Sequence, residues 1–96
     1  RFLCDAGEME IALATAEEIK NKITCRFGNT PLWRRILFIR SDEAPISRIQ
    51  ERARAQVLLK LLNHPDTDRL IAAMQEMARE EYPAHTVLEI NPVSLA

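Results

Sequence analysis

The residues best equipped for chemistry in this chain are cationic. Arg52, Arg54 and Gln56 stand at every second position, and Arg34, Arg35, Arg40, Arg48 and Lys60 fall in the same third of the sequence. Guanidinium groups fork onto carboxylates and phosphates, so the chemistry on offer is recognition of an anion. Residues 26–60 carry eight basic and three acidic side chains, against three and five in residues 1–25 and two and six in residues 61–96. The net charge of −1 therefore hides a basic middle third. Such a stretch suits an acidic partner, or else it neutralises the acidic segments on either side within one fold.

Bond-making chemistry is not spelled out. Cys4 and Cys25 form no Cys-x-x-Cys pair and have no pair of histidines near them, which predicts two reduced, half-buried thiols and no metal site. His64 lies in the turn-like Asn63-His64-Pro65-Asp66, and His85 is isolated. With two glycines the chain builds no phosphate-cradling loop, and Ser41, Ser47 and Ser94 stand in no nucleophile motif. The acid pairs Asp66/Asp68 and Glu80/Glu81 fall at expected helix ends, where capping, dipole compensation and solvation account for them. A binding module is expected, not an enzyme.

The elements that must position the cations follow from periodicity. Arg1 to Ala6 reads as a strand. Met9, Ala12, Leu13, Ala16, Ile19 and Ile23 recur at helical spacing, with Gly28-Asn29 as a stop. Arg34 to Ser41, around Ile36-Leu37-Phe38-Ile39, predicts a buried strand broken by Asp42-Glu43-Ala44-Pro45. Residues 49–62 pull two ways. Their composition favours a helix, whereas Ala53, Ala55, Val57, Leu59 and Leu61 alternate with polar residues as a strand with one wet face does. Asn63 to Asp68 opens a second helix, capped by Asp or Thr, with Leu70, Ile71, Met74, Met77, Ala78 and Tyr82 as its apolar stripe. Pro83 ends it, and Thr86 to Ile90 reads as a last strand.

Ninety-six residues make one domain, 1–96. No apolar run approaches the roughly 20 residues of a membrane span. Two reduced thiols fit a cytosolic setting, and a cytoplasmic protein is expected. If residues 49–62 are a strand, the order is β-α-β-β-α-β. The fold class is then α+β, ferredoxin-like (split β-α-β), with both helices on one face of a four-stranded sheet.

Two stretches carry a resemblance. Ala44-Pro45-Ile46-Ser47-Arg48-Ile49, followed by Arg52-Ala53-Arg54-Ala55-Gln56-Val57-Leu58-Leu59-Lys60, resembles a strand of the PriA-type replication-restart helicase (primosomal protein N′). That family runs Ala-Pro-Ile, then Arg-Leu, then Arg-Tyr-Arg-aromatic-Gln-Leu-Leu-Leu-Lys. Leu88-Glu89-Ile90-Asn91-Pro92 is similar to the family's ending, Ile-Asp-Val-Asp-Pro. The family has Gly where Glu51 stands and aromatics where Ala53 and Ala55 stand.

The resemblance implies the C-terminal domain of a longer bacterial helicase, with the fold of ribosomal protein S10, and so favours the strand for residues 49–62. A chain beginning at Arg1 instead of Met fits that expectation. It implies a parent that unwinds DNA from 3′ to 5′ with ATP, Mg and Zn held outside these residues, and no cofactor within them. The implied partners are forked or single-stranded DNA, the acidic tail of single-stranded DNA-binding protein, and other primosome proteins. The positions matching the family's tail contacts are Arg52 and Gln56. Arg34, Arg35, Arg40, Arg48, Arg54 and Lys60 are the expected DNA contacts. The competing expectations are a purely structural or dimerising ferredoxin-like module and, behind it, an RNA-binding S10-like one.

Overall fold

A computed structural model describes residues 1–90, with the side chains of residues 46–48 excepted. The strands are β1 (Phe2–Ala6), β2 (Ile36–Ile49), β3 (Arg52–Leu61) and β4 (His85–Leu88); the helices are α1 (Met9–Phe27) and α2 (Thr67–Ala78). A 3₁₀ turn, Pro31–Arg35, joins α1 to β2. The strands form one antiparallel sheet in the order β2-β3-β1-β4, an α+β arrangement compatible with a ferredoxin-like fold.

Period-two alternation decides residues 52–61. Ala53, Ala55 and Val57 are fully buried and lie opposite Ala6, Cys4 and Phe2 of β1. These pairs build the inner face of the sheet, since residues directly opposite in an antiparallel ladder share a face. Ala12, Ala16, Ile19, Ile23 and Phe27 of α1 join them in one core, together with Leu70, Ala73, Met74 and Met77 of α2. Both helices therefore cover the same side. Small alanines on the central strand let α1 approach closely, while Ile19, Ile23 and Phe2 supply volume.

Several elements depart from what periodicity predicts. Arg34 and Arg35 belong to the 3₁₀ turn and not to β2, because Pro31 presets a helical φ and the Trp33 N–H donates to the Thr30 carbonyl at 3.1 Å. At its far end β2 runs on through Asp42–Pro45 to Ile49, with pairing irregularities between Ile36 and Phe38 and between Glu43 and Arg48. An edge strand tolerates Pro45 at such an interruption, where no ladder bond is required.

The second helix starts later, at Thr67, without a side-chain cap. Its first amides are instead satisfied by the carbonyls of His64, Pro65 and Asp66. Tyr82 lies beyond α2, and its hydroxyl, 2.9 Å from the Met77 carbonyl, serves the helix end from outside. The last strand is His85–Leu88 rather than 86–90, and the Glu89 N–H donates to the Arg1 carbonyl.

The thiols are not alike: Cys4 is fully buried in β1 and Cys25 is exposed on α1, both free. Gly28 follows α1 in right-handed conformation, φ −56°, and a Cβ there would strike the Thr24 carbonyl. The position requires glycine for lack of space beside that carbonyl, and α1 ends without a left-handed turn. No helix among the described residues is long and apolar enough to cross a membrane.

Candidate docking face of the sheet

With both helices on one side, the other face of the sheet carries a mixture of charged, polar and apolar side chains. On β3 it takes the residues between the buried ones: Arg52, Arg54, Gln56, Leu58 and Lys60. Register adds Leu3 and Asp5 from β1, Phe38, Arg40 and Asp42 from β2, and His85 and Val87 from β4. Arg40, Arg52, Arg54 and Lys60 thus share one surface, as strand alternation requires.

Most of this face is tied together internally. Gln56 is only 4% exposed, and both ends of its amide are engaged. Arg1 Nη1 donates to Gln56 Oε1 at 3.2 Å, and Gln56 Nε2 donates to Asp42 Oδ1 at 3.1 Å. A guanidinium only donates and a carboxylate only accepts, so these neighbours fix the orientation of the amide. The chain continues at both ends: Arg1 Nη2 lies 2.8 Å from Glu89 Oε2, and Arg40 Nε lies 3.2 Å from Asp42 Oδ2. The result is a polar ladder, Glu89–Arg1–Gln56–Asp42–Arg40, crossing the sheet from beyond β4 to β2.

A second contact flanks the ladder. Arg52 Nε donates to Asp5 Oδ1 at 2.6 Å, with the Arg52 side chain half exposed. Asp5 lies directly opposite Arg54 in the β1–β3 register, so its backbone faces one arginine while its carboxylate bonds the other. Arg54 and Lys60 form no ion pair among the described residues.

The other expected DNA contacts lie apart. Arg34 is exposed on the 3₁₀ turn, while Arg35 beside it reaches Asp66 Oδ2 at 3.5 Å. Arg48 pairs with Ala53 along the backbone, and its side chain lies outside the described ones. The family-like ending from Asn91 onward also falls outside the described residues.

Aromatic surface is sparse. Phe38 is 38% exposed, with the Arg40 guanidinium carbon 5.3 Å from its ring centroid. Phe2 and Phe27 are core, and Trp33 and Tyr82 pack against it. Ala53 and Ala55, where the resembled family has aromatics, point into the core under α1. The side chains at those two positions are therefore no part of the open face.

Composition made the cations visible, but not Arg1, Asp5, Asp42 and Glu89, which complete the face. Their only trace in the sequence is that Arg1, Leu3 and Asp5 alternate with Phe2, Cys4 and Ala6. Among the described residues no cluster of His, Cys, Asp and Glu is grouped to hold a metal ion. No family model, curated protein or solved structure matches the chain.

Proposed function

We propose that this domain is a docking module without chemistry of its own, whose open sheet face receives an acidic peptide and, more weakly, nucleic-acid phosphates. The observation that carries the reading is the gathering of Arg40, Arg52, Arg54 and Lys60 on the one side of the sheet that no helix among the described residues covers. Charge-assisted bonds from arginine to carboxylate are the strongest contacts such a face can offer. With Phe38 as the exposed aromatic there, base stacking adds little, and DNA affinity comes from phosphate contacts that weaken with salt.

The resemblance to the PriA-type helicase extends the reading. On it, the domain is the S10-like C-terminal part of a cytoplasmic 3′-5′ restart helicase, with a split β-α-β fold. Arg52 and Gln56 then meet the acidic tail of single-stranded DNA-binding protein, and Arg34, Arg35, Arg40, Arg48, Arg54 and Lys60 meet DNA. ATP, Mg and Zn belong to the rest of the parent.

A structural module is the second reading, favoured by the internal pairing of Arg52 with Asp5 and of Gln56 with Arg1 and Asp42. Dimerisation through a sheet edge is the weaker form of it. β2 has two pairing irregularities and carries Arg40, Asp42, Glu43 and Pro45, and β4 has only four residues. Irregular, charged or short edges resist strand addition.

The separating experiment titrates the protein with a dye-labelled acidic peptide and with forked DNA across a salt series. Saturable peptide binding that weakens with salt supports docking. Affinity for neither ligand at low salt leaves the structural module.

A further inference from the structure

We infer that the docking face is self-occupied: the carboxylate of Asp5 holds, on Arg52, the position that a ligand carboxylate takes, so that binding is an exchange of carboxylates. The inference rests on the docking reading and names its regulation.

Three observations lead to it. Arg52 Nε is committed to Asp5 Oδ1 at 2.6 Å, and Nη2 lies 3.5 Å from the Asp5 carbonyl oxygen, so the inner edge of the guanidinium is turned inward. The pair is accessible, with side-chain exposures of 50% for Arg52 and 32% for Asp5. Asp5 also lies opposite Arg54 in the ladder, where its negative charge offsets that of a second arginine. A ligand carboxylate that reaches this corner meets an arginine already paired and a like charge beside it.

Exposed pairs of this kind are weak, which makes the exchange thermally accessible. Displacing the Asp5 carboxylate leaves the backbone register of β1 with β3 and β4 in place, because that register rests on main-chain pairing. The adjacent contact of Gln56 with Asp42 is different in kind, because Gln56 is 4% exposed and bonded on both sides. Arg52 is therefore the entry point, and the Gln56 ladder is the fixed floor beside it. The apparent affinity is reduced by the fraction of molecules in which Asp5 occupies Arg52.

The test compares Asp5→Asn with Glu51→Gln. Both remove one negative charge next to Arg52, but Glu51 forms no ion pair among the described residues. The probe is a dye-labelled acidic peptide with a free C-terminal carboxylate, titrated at constant salt after circular dichroism confirms that each variant is folded. Asp5→Asn is expected to bind about two- to five-fold tighter than Glu51→Gln, the worth of an exposed pair. Adding Arg52→Ala to the Asp5→Asn protein is expected to abolish that gain. Equal affinities for Asp5→Asn and Glu51→Gln overturn the self-occupied face while leaving docking intact. Loss of the docking reading itself looks different: Arg52→Ala then binds the peptide as the wild type does.

Discussion

Gln56 on β3 faces Asp42 on β2 in register, and its amide nitrogen donates to the Asp42 carboxylate at 3.1 Å while Arg1 holds its oxygen. This side chain belongs to the outer face yet is as sequestered as the core. Truncating it leaves a guanidinium and a carboxylate short of a partner in a crowded spot. Gln56→Ala is expected to destabilise the fold by about 1 to 3 kcal/mol, the cost of unmade hydrogen bonds at a buried site. Arg52→Ala, at a half-exposed pair, is expected to cost under about 1 kcal/mol. Urea unfolding of the two variants measures the contrast.

The hairpin between β2 and β3 turns through Gln50 and Glu51, at φ 51° and 64°. Positive φ at both loop positions is the sign pattern of a type I′ turn, which glycine or asparagine fills without strain. Neither residue here is of that kind. Replacing Glu51 by Gly is expected to stabilise the protein by about 0.5 to 1 kcal/mol, because relief of left-handed strain exceeds the added freedom of the unfolded chain. A higher urea midpoint at unchanged slope is the predicted result, and an unchanged midpoint tells against strain in this turn.

Cys4 offers a pH-dependent reading of the core. Burial raises its thiol pKa above the ordinary value of 9.0, partly offset by a contact from the Thr86 hydroxyl. Between its unfolded and folded pKa values the native state binds more protons, so stability falls as pH rises beyond 9.0 and this contribution is complete below it. Cys25, exposed on α1, is expected to react with a thiol reagent at once, and Cys4 only upon unfolding. Labelling both at equal rates in the native protein contradicts the buried placement of Cys4.

What could be read from the sequence depended on how local the deciding interaction was. Helix α1 declared itself through Ala12, Ala16, Ile19 and Ile23, because one face of one helix settles their spacing. On β3, composition argued for a helix and alternation for a strand, and pairing with both β1 and β2 makes alternation win. Leu58, an apolar residue among the polar positions of that alternation, sits half-buried on the open face opposite Arg40. The continuation of β2 through Asp42–Pro45 was hidden because those residues favour turns, and only the length of β3 beside them keeps the strand going.

The cationic face was legible in part. Arg52, Arg54 and Gln56 are two apart on a strand, so their common side follows once the strand is granted. Their partners were not legible: Asp5 and Arg52 are 47 positions apart in the chain, and Arg1 and Gln56 are 55 apart. Such contacts exist only through the register of β1 against β3.

The most direct test of a docking face is to locate the ligand on it. Amide and side-chain NMR shifts of the 96-residue protein are followed during titration with an acidic peptide bearing a free C-terminal carboxylate. Saturable changes centred on Arg52 and Arg54, extending to Arg40 and Lys60, are expected, with the outer side of α1 around Glu18 and Cys25 unmoved. Changes confined to α1, or none at peptide concentrations that saturate comparable carboxylate sites, contradict docking on that face.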